Sequence, residues 1–278
     1  MRLGGPLFTT HADPDAWLAG LRSHGYRAAY CPLDEKADDA AVHAFGAAAR
    51  QADIVIAEVG AWSNPLAYDD AEARNAIALC QQRLNLAERI GARCCVNIAG
   101  SRGGVWCGPS TKNLTPDTFS RIVETVREII DAVKPRRTSY TLEAMPWAYP
   151  HDTDSYAALV DAVDRDAFAV HFDPVNLINS IEKFYAPEKV IRDFIARLGL
   201  RIKSCHAKDI HIDENQFAMQ LHECRPGAGV LDYRVFLSEM NRIDPEMPLM
   251  LEHLKDEAEY QAAGGHIRAV AGELGLSI

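Results

Sequence analysis

Acidic and imidazole side chains end four successive short apolar runs in the second half of the chain. The residues at or just beyond these ends are Glu143, Asp173, His206 and Glu252. Because alternate residues of a strand share a face, each of these side chains points away from its apolar neighbour. Three converging carboxylates repel one another unless a cation lies among them, and a divalent metal ion supplies that charge. Carboxylates with one imidazole suit Mn²⁺, Mg²⁺ or Co²⁺, with Zn²⁺ as an alternative, and we expect Mn²⁺.

An alternation of short apolar runs and longer helical stretches must position these residues. Eight strands alternating with eight helices, without a linker or a break in composition, predict a single (β/α)₈ TIM barrel over residues 1–278, with its active-site mouth at the carboxyl ends of the strands. A doubly wound open sheet also fits the alternation, but no GxGxxG follows the first strand. The expected strands are Leu3–Phe8, Arg27–Cys31, Asp53–Glu58, Arg93–Ile98, Ser139–Glu143, Phe168–Phe172, Ile202–His206 and Leu249–Glu252. The expected helices lie near Pro14–His24, Asp38–Arg50, Asp69–Ile90, Pro116–Val133, Asp154–Val163, Pro187–Leu198, Tyr233–Asn241 and Asp256–Leu274.

The composition narrows the function classes. A formal net charge of −10 gives no broad basic surface, so we expect no nucleic-acid partner. No apolar run approaches the about 20 residues that cross a bilayer, so we expect no membrane partner. The first ten residues are a poor match to a signal peptide, which predicts a cytoplasmic protein. The seven cysteines contain no CxxC pair, and most of them are interpreted as small buried hydrophobes rather than disulfides or zinc ligands.

Five stretches of the chain resemble the xylose-isomerase-like barrel superfamily, the sugar phosphate isomerase/epimerase group that includes ketose 3-epimerases and inosose isomerases and dehydratases. They are LEAMPW, HFDPVN, CHAKD, RPGAGVLD and MLEHL. In that family the residues matching Glu143, Asp173, His206 and Glu252 bind one divalent ion, and the two glutamates serve as acid and base. The resemblance implies an enzyme of carbohydrate metabolism with a small-molecule carbohydrate substrate. Because the family is often dimeric or tetrameric, a homo-oligomer is an open alternative to a monomer.

The reaction expected of such a site begins with removal of the proton beside the carbonyl of a keto-sugar or polyol ketone. Either Glu143 or Glu252 takes this proton and the other returns one, while the metal stabilises the enediolate. Return of the proton to the opposite face of the same carbon is epimerisation, and its return to the neighbouring carbon is isomerisation. A leaving group β to the carbanion would end the same first step in elimination. A metal-dependent lyase or dehydratase of a keto-sugar, 3-keto-glycoside or inosose is therefore the alternative.

Five further residues at or beyond strand ends are predicted to bind substrate. The cations of Lys208 and Arg225 can hold a substrate oxygen, and the carboxylate of Glu58 can reach a hydroxyl. The indole of Trp147 can stack on the apolar face of a sugar, as that of Trp62 could also do. For each residue the alternative is an ordinary ion pair, hydrogen bond or packing contact. The 207–229 segment has little strand or helix character and could lie over the mouth. The five residues are His171, whose family counterpart lies near the substrate, and Lys208, Arg225, Glu58 and Trp147.

Two other classes of protein could use the same barrel. A DNA-repair endonuclease would need many more histidines for a multi-zinc cluster and a basic surface, and the net charge of −10 argues against it. A non-catalytic, metal-free binding barrel would keep the fold without needing the pair of glutamates. In that case Glu143→Gln would leave ligand affinity unchanged.

Overall fold

Eight parallel strands close into a barrel in the computed structural model, which describes residues 1–9 and 11–278. The order around the barrel is β1, β10, β7, β6, β5, β4, β3 and β2, and the antiparallel pair β8–β9 lies outside it. The barrel strands are β1 (Arg2–Gly4), β2 (Ala28–Tyr30), β3 (Val55–Gly60), β4 (Cys94–Asn97), β5 (Ser139–Leu142), β6 (Phe168–Phe172), β7 (Ile202–Ala207) and β10 (Pro248–Leu251). The outer pair is β8 (Asp209–Ile212) and β9 (Leu221–Cys224). The predicted single (β/α)₈ TIM barrel is confirmed.

Helices fill the connections between successive barrel strands. Eight of them match the expected stretches, and two helical turns of four residues follow β6. The helices are α1 (Pro14–Ser23), α2 (Asp39–Gln51), α3 (Asp70–Ile90), α4 (Pro116–Val133), α5 (Thr153–Val163), α6 (Pro174–Leu177), α7 (Ile181–Phe184), α8 (Pro187–Leu198), α9 (Tyr233–Ile243) and α10 (Glu257–Glu273). No helix among the described residues is long and apolar enough to cross a membrane.

Capping residues visible in the sequence fix where the helices begin and end. The Asp13 side chain accepts a hydrogen bond from the Ala16 amide, and Pro14 occupies the first helical position. Thr115 caps α4 in the same way before Pro116. These caps satisfy amide groups that a helix start leaves without a partner. At the other end of α3, Gly91 has φ 84°, a left-handed conformation that glycine adopts at low cost.

The core lies mainly between the strands and the surrounding helices. Phe172 stacks on Phe194 of α8 with ring centroids 4.4 Å apart, and its ring meets Phe236 of α9 edge-on. Burial of such aromatic surface is the main stabilising contribution expected for a barrel of this size. All seven cysteines are free in the described residues, and four of them, Cys80, Cys94, Cys95 and Cys205, are buried. The interpretation of cysteines as apolar residues rather than disulfides therefore agrees with the structure.

The structure corrects the predicted elements in two places. Strand β1 ends at Gly4 rather than continuing to Phe8, because Gly5 and Pro6 follow and proline has no N–H for the ladder. The 207–229 segment was expected to have little strand character, yet it forms the hairpin of β8 and β9, in which Asp209 pairs with Cys224 and Ile212 with Leu221. Asp209–Ile212 alternates polar and apolar residues and Leu221–Cys224 does not, and four residues are too short a run to predict a strand pair.

Candidate active site

Four neighbouring strands bring Glu143, Asp173, His206 and Glu252 together at the mouth of the barrel. One ligand atom of each lies within 4.8 Å of the others. His206 Nδ1 is 2.9 Å from Glu143 Oε1, 2.9 Å from Glu252 Oε1 and 3.9 Å from Asp173 Oδ2. The convergence follows from the parallel register, in which the carboxyl ends of β5, β6, β7 and β10 share one rim.

Local backbone contacts hold two of these carboxylates. The Glu143 amide donates to the Asn97 carbonyl at 2.8 Å, which fixes Glu143 immediately beyond β5. Asp173 caps α6, where its Oδ1 accepts from the amides of Val175 at 2.9 Å and Asn176 at 3.3 Å. The cap fixes the side chain and leaves Oδ2 directed at the cluster.

The donor set fits a divalent metal ion. Asp173 Oδ2 and Glu252 Oε1 are buried and accept no hydrogen bond from the described residues. Buried oxygen atoms without such partners are costly unless a cation compensates them. Two such oxygens, a third carboxylate and an imidazole nitrogen are a suitable set for Mn²⁺, Mg²⁺, Co²⁺ or Zn²⁺. A metal ion would thus be held by Glu143, Asp173, His206 and Glu252.

The ammonium group of Lys208 lies among the same carboxylates. Its Nζ is 2.7 Å from Asp173 Oδ2, 2.8 Å from Glu252 Oε1 and 3.1 Å from Glu223 Oε1, and the side chain is only 1% exposed. The first two contacts are close ion pairs without hydrogen-bond geometry. The protein itself therefore supplies part of the positive charge that the sequence argument assigned to a metal alone. One lysine still leaves an excess of carboxylate charge in the cluster.

Glu58 lies beneath this cluster and contacts the other nitrogen of His206. Its Oε2 is 3.3 Å from His206 Nε2, and its Oε1 accepts from Ser204 Oγ at 2.9 Å. His171 Nε2 is 3.6 Å from the same Oε2, and the two histidine rings meet edge-on at 4.1 Å. A carboxylate on one imidazole nitrogen orients the ring and leaves the other nitrogen for a metal.

Burial and neighbouring charges shift the protonation of the cluster. Burial, reinforced by Glu143 and Glu252 against Lys208, raises the pKa of Asp173 to about 7. Burial would raise the pKa of Glu58, but the charges and hydrogen bonds of His206 and His171 lower it to about 2. Burial would lower the pKa of His206, but the surrounding carboxylates raise it well above its usual value. Without a metal, protons and Lys208 therefore balance the carboxylates.

A cavity of about 1060 Å³ opens above the cluster. Glu143, Lys208, Glu252 and Trp147 line it, and contact of Lys208 and Trp147 with substrate stays a prediction. The β8–β9 hairpin contributes Leu221 and Glu223 to the lining, so the expectation that the 207–229 segment lies at the mouth agrees with the structure.

Three predicted substrate contacts lie elsewhere. Arg225 pairs with Glu259 at 3.4 Å and does not line the cavity in the described residues. Glu58 and His171 are fully buried below the cavity, at 1% and 0% exposure. Direct contact of these three with substrate stays a prediction, and the position of Glu58 and His171 favours an effect exerted through His206.

The sequence did not predict the contacts of the polar residues that complete the cavity. Asn176 donates to Glu143 Oε1 at 3.2 Å and accepts from Lys208 Nζ at 3.2 Å. Glu223 also accepts from Lys208 and lies 2.8 Å from His253 Nδ1. The signal for Asn176 was its place three residues after the helix cap Asp173. Glu223 belongs to the 207–229 segment that was expected over the mouth, but no pattern in the sequence marked its contact with His253, since the contact between β9 and the end of β10 is not local.

The fold and this site define a (β/α)₈ barrel with a buried carboxylate–histidine cluster at its mouth. The model of the xylose isomerase-like TIM barrel family matches residues 18–270, and the chain belongs to this family. No curated protein sequence matches the chain.

Solved structures share the fold at low sequence identity. The 3-keto-D-glucoside 4-epimerase from E. coli has a TM-score of 0.71 at 13% identity, covering 98% of this chain and 99% of that one. D-psicose 3-epimerase from Clostridium cellulolyticum H10 has a TM-score of 0.69 at 18% identity, covering 97% and 99%. A probable 3-DHS dehydratase from Bacillus anthracis has a TM-score of 0.68 at 14% identity, covering 97% and 98%. These likenesses concern the fold.

Proposed function

We propose that this protein is a divalent-metal-dependent isomerase or epimerase of a keto-sugar or polyol ketone. The observation that carries the proposal is the pair Glu143 and Glu252, which both line the cavity and both lie 2.9 Å from His206 Nδ1. Two carboxylates beside a metal-type donor set can serve as base and acid on one substrate. The family and the two epimerases that share the fold support this class of reaction.

Each residue of the site has a role in the proposal. Glu143, Asp173, His206 and Glu252 would hold the ion, which we propose to be Mn²⁺ because this metal suits a set of carboxylates with one imidazole. When bound, the ion would act as a Lewis acid that stabilises negative charge on the substrate carbonyl oxygen. Lys208 restrains the carboxylates of Asp173 and Glu252 through its two close ion pairs.

The proton transfers are assigned to the two glutamates. One removes the proton beside the carbonyl, and the other delivers a proton to the opposite face or to the neighbouring carbon. Asn176, which donates to Glu143 Oε1, fixes that carboxylate toward the cavity. The face and carbon at which the proton returns decide between epimerisation and isomerisation.

The test is proton exchange in deuterated water. Purified protein with added Mn²⁺ would be incubated with a panel of ketoses, inososes and 3-keto-glycosides with methyl and phenyl aglycones, and the products followed by NMR. We expect deuterium at the carbon beside the carbonyl, without loss of water. Absence of exchange with every member of the panel would contradict the proposal.

A lyase is the second candidate, because elimination needs the same first step and the same residues. The size of the cavity, about 1060 Å³, leaves room for a leaving group beyond the reacting carbons. The probable dehydratase that shares the fold is compatible with this chemistry. An unsaturated product in the exchange experiment would favour the lyase over the isomerase.

We also propose that the protein works in the cytoplasm on small carbohydrates without nucleic-acid or membrane partners. Its free cysteines support a reducing compartment. The net charge of −10 supports the absence of a nucleic-acid partner. A homo-oligomer remains an alternative to be tested by light scattering.

Replacing Glu58 by glutamine is expected to weaken Mn²⁺ binding about 10-fold to 100-fold, because the variant removes the charge that orients His206 through Nε2. Titration against a fluorescent chelator would measure the affinity. Glu259→Gln, which alters only the pair with Arg225, serves as the control. An unchanged affinity in Glu58→Gln would show that Glu58 does not position the metal ligand.

Affinity for Mn²⁺ is expected to rise from about pH 6 to about pH 8. Asp173, with a pKa of about 7, and His206, with a pKa raised well above its usual value, hold protons in the metal-free protein that an ion must displace. Each displaced proton weakens binding up to about tenfold per pH unit on the acid side of its pKa. Calorimetric titration in buffers of different ionisation enthalpy would count the released protons. Binding independent of pH would contradict this assignment of ligands.

A further inference from the structure

The cavity at the barrel mouth is larger than a single sugar ring requires. Its volume is about 1060 Å³, at the upper end of the roughly 300–1,000 Å³ that hold a drug-sized ligand. A monosaccharide is well below that size. Space therefore remains for a second group of the substrate once a sugar ring occupies the carboxylate cluster.

The charged side chains of the cavity and Asn176 form one continuous cluster. Lys208 links Asn176, Glu223 and Glu252 at 3.2, 3.1 and 2.8 Å, and Glu223 extends the cluster to His253 at 2.8 Å. These residues follow or adjoin β6, β7, β9 and β10. The hydroxyls and the carbonyl of a substrate would be recognised here.

Most of the remaining lining is apolar, and we call its apolar residues the apolar wall. It comes mainly from the segments after β3, β4, β5 and β6 and from the β8–β9 hairpin. Three tryptophans in it are 42%, 42% and 39% exposed, an unusual concentration of exposed indole surface in one cavity. The main members of the apolar wall are Trp62, Trp106, Trp147, Ile178, Met219 and Leu221.

The indole of Trp147 is arranged for apolar contact rather than for hydrogen bonding. Its Nε1 donates to the Cys107 carbonyl at 2.7 Å, which fixes the ring to the segment that carries Trp106 and leaves no N–H for a substrate hydroxyl. Trp62 connects the wall to the cluster, since its ring centroid is 6.4 Å from that of His206. An aromatic group held by the wall would therefore adjoin the reacting sugar.

We propose that the apolar wall is a subsite for a flat apolar group attached to the sugar, so that the substrate is a ketone of an aryl glycoside rather than a free ketose. The inference rests on the proposed function for the placement of the ketone at the carboxylates. Aromatic rings stack favourably on indoles, and the transfer of their apolar surface from water drives binding.

Calorimetric titration of the Mn²⁺-loaded protein with phenyl β-D-glucopyranoside and methyl β-D-glucopyranoside tests the subsite. We expect the phenyl glycoside to bind at least about tenfold more tightly, because only its ring reaches the wall. Equal affinities, or no detectable binding of the phenyl glycoside up to its solubility, would overturn the inference.

Variants of the wall locate the contact. Trp106→Ala and Trp62→Ala should each reduce the preference for the phenyl glycoside to less than about threefold. Tyr185→Ala, which removes an aromatic side chain 75% exposed outside the cavity, should keep the full preference. Thermal unfolding would confirm that each variant is folded. A phenyl preference that persists in both tryptophan variants would place the ring elsewhere and overturn the inference.

The subsite and the proposed reaction can fail separately. Proton exchange on free ketoses without any phenyl preference would overturn the aryl subsite and leave the isomerase intact. A preference for the phenyl glycoside that Trp106→Ala abolishes would support the subsite. If no ketone then exchanges the proton beside its carbonyl, the proposed reaction is contradicted while the subsite stands.

Discussion

Glu143→Gln and Glu252→Gln should each lower the rate of deuterium incorporation into a ketone substrate by about 10²-fold to 10⁴-fold, the usual contribution of a positioned acid or base. Glutamine keeps the shape and one oxygen of the side chain but cannot accept and return a proton. Because both glutamates are also candidate ligands, the rates must be compared at saturating Mn²⁺. NMR would measure exchange, and elemental analysis would measure the bound metal.

Two comparisons separate loss of proton transfer from loss of structure. Glu259→Gln changes a carboxylate that pairs with Arg225 away from the cavity, and it should exchange at the original rate. Glu252→Asp retains a base but withdraws it by one methylene, so we expect an intermediate rate. Exchange near the original rate in either glutamine variant, with metal bound, would remove that glutamate from the proposed acid–base pair.

The strand-end residues are the part of the site that a single sequence can specify. Parallel strands that close into a barrel must bring their carboxyl ends to one rim, so Glu143, Asp173, His206 and Glu252 meet once the strands are located. The period of two along each strand then decides which side chains face inward. Both arguments are local, and the structure agrees with them.

The contacts around that rim depend on features that a sequence does not show. Glu58 meets Ser204 and His206 across the barrel at sequence separations of 146 and 148 residues. Arg225 follows a hairpin that turns it away from the cavity toward Glu259. The long side chain of Lys208 can extend toward solvent or fold back into the cluster, and only the packed structure decides between these.

Lys208→Met is expected to lower the free energy of unfolding by about 3–5 kcal/mol in the presence of EDTA, the usual effect of removing one partner from a buried ionic cluster. The Lys208 side chain is 1% exposed and lies 2.7 and 2.8 Å from two carboxylates. Its loss leaves Asp173 and Glu252 buried with less compensating charge. Urea unfolding would measure the change, with Lys36→Met, at an exposed position, as the control.

The same variant should be destabilised less in excess Mn²⁺, because an ion held by Glu143, Asp173, His206 and Glu252 would restore positive charge to the carboxylates that lose Lys208. Binding to the folded state alone stabilises a protein, so Mn²⁺ should raise the unfolding free energy of Lys208→Met more than that of the original protein. An equal loss of stability with EDTA and with Mn²⁺ would show that the ion does not share these carboxylates. If Lys208→Met lowers the free energy of unfolding by less than about 1 kcal/mol in EDTA, the ion pairs of Lys208 contribute no more than ordinary surface ion pairs do. The two unfolding curves therefore test the electrostatic balance of the cluster without depending on the identity of the substrate.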